Sequence, residues 1–243
     1  MHLLLLSNST QYGRGYLEHA RDAVTGFLPP NARLAFVPYA LADHDAYTAK
    51  VRTALADAGI DVRGVHEGGD PVARLAEADA VFVGGGNSFR LLSALYRTGL
   101  REALIERVGA GLPYMGASAG TNMAAPSLRT TNDMPIVQPP SFAALGLVPF
   151  QINPHYLDPD PHSTHKGETR EERLTEFLEE NDVPVLALRE GSWLRVDGDR
   201  ATVEGERDAR LFTRGAAPRE VPAGSDVSAL LTVTGRFDTP ARR

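Results

Sequence analysis

The sequence predicts an α/β fold: a mostly parallel sheet flanked by helices on both faces, with a C-terminal β-hairpin. Three observations carry that prediction. Short apolar runs alternate with amphipathic stretches, which is the pattern of βαβ units. The runs are continuously apolar rather than alternating, as in strands covered on both faces. Glycine-rich turns follow two of the strands, at 84–87 and 116–120.

Taken in order, Leu3-Leu4-Leu5-Leu6 reads as a buried strand that turns polar at Ser7-Asn8-Ser9. Arg33 to Pro38 is a second strand. Asp45 to Ala58 carries helical spacing and stops near Gly59, where a left-handed residue ends helices readily. Ile60 to Val65 and Ala80 to Val83 are further strands, the latter entering Gly84-Gly85-Gly86-Asn87. The next helix places Leu91, Leu92, Leu95 and Tyr96 on one face. Leu112 to Met115 is a strand ending in a glycine turn, and Thr121 to Ala124 a short helix after it. Val148 to Ile152 and Val183 to Leu188 are strands on either side of a helix over Glu168 to Glu180. Trp193 to Val203 forms a hairpin that turns at Asp197-Gly198. The segment from Gly215 is rich in Pro, Gly and Ala, and no linker interrupts the pattern, so residues 1–243 read as one domain.

Bulk properties narrow the function. At 243 residues with 42% hydrophobic content, the chain can bury a substantial core without staples. A net charge of -6 lacks the basic footprint of nucleic-acid or anionic-membrane binding. Cysteine is absent, which excludes disulfides, thiolate nucleophiles and cysteine metal sites. No apolar stretch reaches signal-peptide or membrane-spanning length, so a cytoplasmic location is expected.

Gly116-Ala117-Ser118-Ala119-Gly120 matches G-x-S-x-G between a strand and a helix, the setting of a nucleophile elbow. Ser118 is the candidate nucleophile, and the Ala119 amide is placed to receive the oxyanion. The glycine loop, through Gly86, is a candidate second donor; it is neither a Walker A loop nor G-x-G-x-x-G, because Phe89 stands where the last glycine would be. A serine hydroxyl needs a base. His155, in Asn153-Pro154-His155-Tyr156, follows a strand that would deliver it to the sheet edge carrying Ser118. Two carboxylates compete to orient the imidazole: Glu190, after the strand Val183 to Leu188, and Asp133, in Thr130-Thr131-Asn132-Asp133. The residues themselves leave that choice open.

Taken together, these segments resemble peptidase E, the aspartyl dipeptidase family. The resemblance runs through Leu3-Leu4-Leu5-Leu6-Ser7-Asn8-Ser9, the glycine loop, the elbow, Arg129 to Ile136, Gln151 to His155, His165 to Arg170 and Glu190-Gly191-Ser192-Trp193. It implies a fold like that of class I glutamine amidotransferases and a Ser118–His155–Glu190 triad. It also implies metal-free hydrolysis of Asp-X dipeptides, no cofactor, and a possible homodimer. The loop 157–164 departs from the family pattern and bears on substrate access. Chain order matters here, because an Asp133 orienter would restore the acid-before-histidine order of α/β-hydrolases.

An N-terminal aspartate presents a carboxylate and an ammonium. Arg170 is the candidate cation for the first, since two parallel N–H donors match two oxygens. Asp133 is the candidate for the second, and Asn87 completes the substrate-binding set. Rival readings are a cyanophycinase-like β-aspartyl peptidase and a metal hydrolase built on His155, His162 and His165 with Asp158 and Asp160. A non-enzymatic anion binder using the glycine loop is a third.

Overall fold

The computed structural model describes every residue except Ser163, His165 and 240–243. Among the described residues, eleven strands form two sheets. The first has seven strands in the order β3 (Asp61–Gly64), β2 (Arg33–Val37), β4 (Ala80–Val83), β5 (Tyr114–Ala117), β1 (His2–Leu6), β8 (Ser192–Asp197) and β9 (Arg200–Gly205). Every neighbouring pair from β3 through β1 is parallel, and β8 and β9 extend the sheet antiparallel as the expected hairpin.

Side-chain alternation sorts this sheet's faces. Leu3, Leu5, Val37, Val81 and Val83 join one buried cluster with residues of α4 (Ser88–Thr98), α5 (Leu100–Gly109) and α6 (Ala119–Met123). Leu75 of α3 (Pro71–Ala76) joins the same cluster. Leu4, Leu6, Leu34, Phe36 and Phe82 join another with Val24 of α1 (Arg21–Phe27) and Val51 of α2 (His44–Leu55). Both faces are therefore covered by helices, which is why β1, β2, β4 and β5 are almost wholly apolar, whereas the outer strands β3, β8 and β9 carry charged residues.

The second sheet runs β11 (Arg219–Val221), β10 (Ala209–Phe212), β7 (Val185–Arg189), β6 (Gln151–Tyr156). The strands expected at Val148 to Ile152 and Val183 to Leu188 lie here, not beside the elbow strand. One face, with Ile152, Leu186, Leu188 and Leu211, packs into the larger cluster of the first sheet. The other, with Tyr156, Val185, Ala187 and Phe212, receives Leu174 and Leu178 of α7 (Arg170–Glu180). A strand buried on both faces has the same apolar signature in either sheet, so the sequence does not tell which sheet it joins. Among the described residues no helix is long and apolar enough to cross a membrane.

Candidate active site

At the end of β5 the chain turns through Ser118 into α6, and Ser118 adopts φ 53°, ψ -112°. Positive φ is uncommon for a residue with a side chain and costs on the order of 1–3 kcal/mol. The surroundings enforce it. The Ser118 amide donates to the Leu6 carbonyl at 3.1 Å, and its carbonyl accepts from the Asn122 amide at 2.9 Å. The last glycine of the motif has a steric reason: a Cβ on Gly120 would collide with the Val83 carbonyl. Tyr114 fixes the same residue by donating its hydroxyl to the Gly120 carbonyl at 2.6 Å.

His155 meets this serine from the second sheet. It lies inside β6 rather than after it, at a register shift between Asn153 and Tyr156, and has φ 54°. Its Nε2 stands 2.9 Å from Ser118 Oγ, and its Nδ1 stands 2.7 Å from Glu190 Oε1. A carboxylate only accepts, so Nδ1 carries the proton and Nε2 is left to accept from the serine hydroxyl. Glu190 occupies the turn between β7 and β8, ahead of Gly191 at φ 87°. Of the two carboxylates that the sequence left open, Glu190 is the one that touches the imidazole. Asp133 lies elsewhere, its Oδ2 accepting from the Ser88 amide at 2.6 Å.

The glycine loop lies against the elbow, since a Cβ on Gly85 would stand 3.5 Å from Ser118 Oγ. The Gly84 and Asn87 amides are bonded to the Val37 and Ala40 carbonyls, and the Gly85 amide to the Tyr47 hydroxyl. Gly86, at φ 134° and packed against the Ala40 carbonyl, is the loop residue whose amide has no acceptor among the described residues. The Ala119 amide opens α6 and so has no intrahelical partner. These are the two candidate oxyanion donors named from the sequence.

A cavity of about 360 Å³ opens beside the serine. It is lined by Ser118, Ala119, His155 and Glu190, together with Asp133, Arg170, Ser88, Thr131, Asn132, Pro154 and Leu157. Arg170 opens α7 behind the Thr169 N-cap. The neighbouring glutamates are engaged elsewhere: Glu172 in the capping box, Glu171 with Arg210 and Glu168 with Arg173. Burial holds the Arg170 guanidinium below its ordinary pKa, nearby Arg173 adds to that, and Asp133 opposes it.

Asn87 needs correction. It is the N-cap of α4: its Oδ1 accepts from the Arg90 amide at 3.0 Å and its Nδ2 donates to the Met134 carbonyl at 2.9 Å. Both ends of the amide are occupied, and Asn87 does not line the cavity. The sequence reading missed Ser88, Thr131 and Asn132, although each lies within two positions of a candidate it had named. Among the described residues, the His/Asp loop considered for a metal forms no converged ligand set. Asp158 is gripped by Arg189 at 2.6 and 2.7 Å, Asp160 accepts from the His162 amide, and His165 lies outside the described residues. Asp45, His66 and Glu67 are the one group among the described residues whose ligand atoms converge, and Glu67 is already paired with Arg52.

The model of peptidase family S51 matches residues 3–204, most of the chain. The chain belongs to peptidase family S51. It is 84% identical to a protein named "Peptidase E" from Streptomyces coelicolor over the full length of both. It is 53% identical to the "Probable alpha-aspartyl dipeptidase" of Drosophila melanogaster, across 94% of this chain and 97% of that one. A solved peptidase structure from an acI-B1 Actinobacterium has the same fold at 16% identity and a TM-score of 0.67, covering 93% of this chain and 96% of that one.

Proposed function

We propose that this peptidase is a serine dipeptidase that hydrolyses Asp-X. The observation that carries the reading is the unbroken line Ser118 Oγ, His155 Nε2, His155 Nδ1, Glu190 Oε1, with contacts of 2.9 and 2.7 Å. In this mechanism His155 takes the Ser118 proton as Oγ attacks the peptide carbonyl, and Glu190 offsets the imidazolium charge. The Ala119 and Gly86 amides receive the oxyanion. His155 then protonates the departing amine, and water releases the acyl group by the reverse sequence.

Arg170 takes the substrate's side-chain carboxylate, and Asp133, whose Oδ1 has no partner among the described residues, takes its ammonium. The two lie on one cavity with the serine and carry opposite charges, which suits an N-terminal aspartate. A cytoplasmic location is part of the proposal.

The test is a panel of Asp-X, Glu-X, Ala-X, acetyl-Asp-X and β-Asp-Arg, each assayed with and without EDTA. Asp-X should be cleaved best, acetylation should abolish cleavage, and EDTA should have no effect. Preference for β-Asp-Arg would move the assignment to a β-aspartyl peptidase. Loss of activity in EDTA would overturn the serine mechanism.

A further inference from the structure

Ser7 follows β1 and is fully buried. Its hydroxyl donates to the Leu188 carbonyl at 2.8 Å and accepts from the His155 amide at 2.9 Å. Its own amide donates to the Ser192 carbonyl at 3.0 Å. The two strands bridged by the hydroxyl are those that bring in His155 and Glu190, and both belong to the second sheet.

The bond to His155 has a particular reason. At the register shift in β6 the His155 backbone turns to φ 54°, out of the β6–β7 ladder. An amide turned out of a ladder inside the protein needs another acceptor. Ser7 Oγ supplies it, and its proton is committed to Leu188, so the hydroxyl cannot rotate away.

The neighbours of Ser7 extend the pattern. Leu6 accepts from the Ser118 amide at 3.1 Å, and Asn8 Oδ1 accepts from the Gly191 amide at 2.9 Å, one residue past Glu190. Three consecutive residues therefore grip the elbow, the histidine and the glutamate turn in succession. We propose that Ser7 is a positioning residue for the reaction: its buried hydroxyl holds the His155 backbone so that the imidazole reaches Ser118 and Glu190 together. Ser7 touches no substrate and acts through His155. The inference rests on the triad reading above.

The experiment compares Ser7→Ala and Ser7→Cys with the wild type, with Ser118→Ala and Thr48→Ala in parallel. Removing the hydroxyl should cost about 10- to 100-fold in kcat on Asp-X, the scale of a small misplacement of a catalytic group, with KM within roughly twofold. The low-field NMR resonance of the His155 Nδ1 proton should weaken or move upfield. The thiol of Ser7→Cys is a weaker and longer partner, so that variant should fall between the other two. Thr48 is equally buried and donates to the His44 carbonyl at 2.8 Å, away from the site, so Thr48→Ala should lower Tm and leave kcat alone.

A Ser7→Ala enzyme within about threefold of wild-type kcat would overturn the proposal. So would an unmoved imidazole resonance, or an equal loss of kcat in Thr48→Ala. If Ser7→Ala does not fold, full activity in Ser7→Cys overturns it and a graded loss supports it. An active Ser118→Ala would sink the triad reading itself. An inactive Ser118→Ala beside a fully active Ser7→Ala would remove the Ser7 inference alone.

Discussion

The two sheets hold their parts of the candidate triad by different means. Ser118 is set chiefly by packing: a strand, a five-residue helix, and a glycine at 120 for which any larger residue collides with Val83, with the Leu6 carbonyl accepting from its amide. His155 and Glu190 are set chiefly by polar side chains far away in the chain. His155 depends on Ser7, 148 residues away, and the Glu190 turn on Asn8, 183 residues from its Gly191 partner. The Asn153 side chain in β6 donates to the Thr130 carbonyl at 2.8 Å and to Asn132 Oδ1 at 2.9 Å, and Asn132 donates back to the Pro154 carbonyl at 2.7 Å. One region is fixed mainly by backbone sterics and the other mainly by side-chain hydrogen bonds. Sterics leave little room for adjustment, whereas a network of hydrogen bonds can lose one member and still hold approximately. Changes to the nucleophile should therefore act all or none, and changes on the second sheet should be graded.

The largest effect tests the steric side. Ser118→Ala removes the nucleophile and keeps the Cβ at the same positive φ, so turnover should fall at least about a thousandfold with the fold intact. Steady-state kinetics and circular dichroism check this, and normal turnover would remove Ser118 from the chemistry.

The second test sharpens the polar side. Glu190→Gln keeps the shape of the side chain, but it can hold the wrong tautomer and cannot offset an imidazolium, so kcat should fall on the order of a hundredfold. Tm should hardly move, because half of the Glu190 side chain is exposed (50%). Asp133→Asn is the comparison. If it costs more in kcat than Glu190→Gln while KM is unchanged, the orienter is misassigned.

Arg170→Ala comes next. Asp-X should lose on the order of 2 to 4 kcal/mol of transition-state binding, because a desolvated carboxylate would lack its partner. Ala-X should change little, so the ratio of kcat/KM between the two substrates is the measurement. An unchanged ratio would take Arg170 out of the specificity pocket.

The smallest effect concerns a charge pair at the end of β7. Hydrogen bonds from Arg189 hold the Asp158 carboxyl below its usual range. The stability this adds is present above the unfolded-state pKa, about 4, and is lost as pH falls through the lower folded value. Asp158→Asn should therefore flatten the decline of Tm below about pH 4 and lower Tm modestly at neutral pH. A wild-type acid profile in this variant would show that the pair contributes nothing measurable.

Much of the elbow is legible in the sequence itself. The apolar run, the small residues around Ser118 and the helix after it all lie within about ten positions, so the motif is written in residue types, although the atoms that require a glycine at 120 belong to Val83. The parallel strands β1, β2, β4 and β5 are legible for a similar reason, since burial on both faces leaves a nearly continuous apolar signature. Tertiary structure alone sends β6 and β7 to a second sheet, because an apolar strand does not encode its pairing partner. It also chooses Glu190 over Asp133 as the neighbour of His155, through a hydrogen bond between residues 35 apart that no sequence window contains. The Asn87 cap of α4 is different, since it is made to an amide three positions on and is legible as an N-cap before a helix. The chain names the groups able to do the chemistry, and the packing of one sheet against the other decides which of them meet.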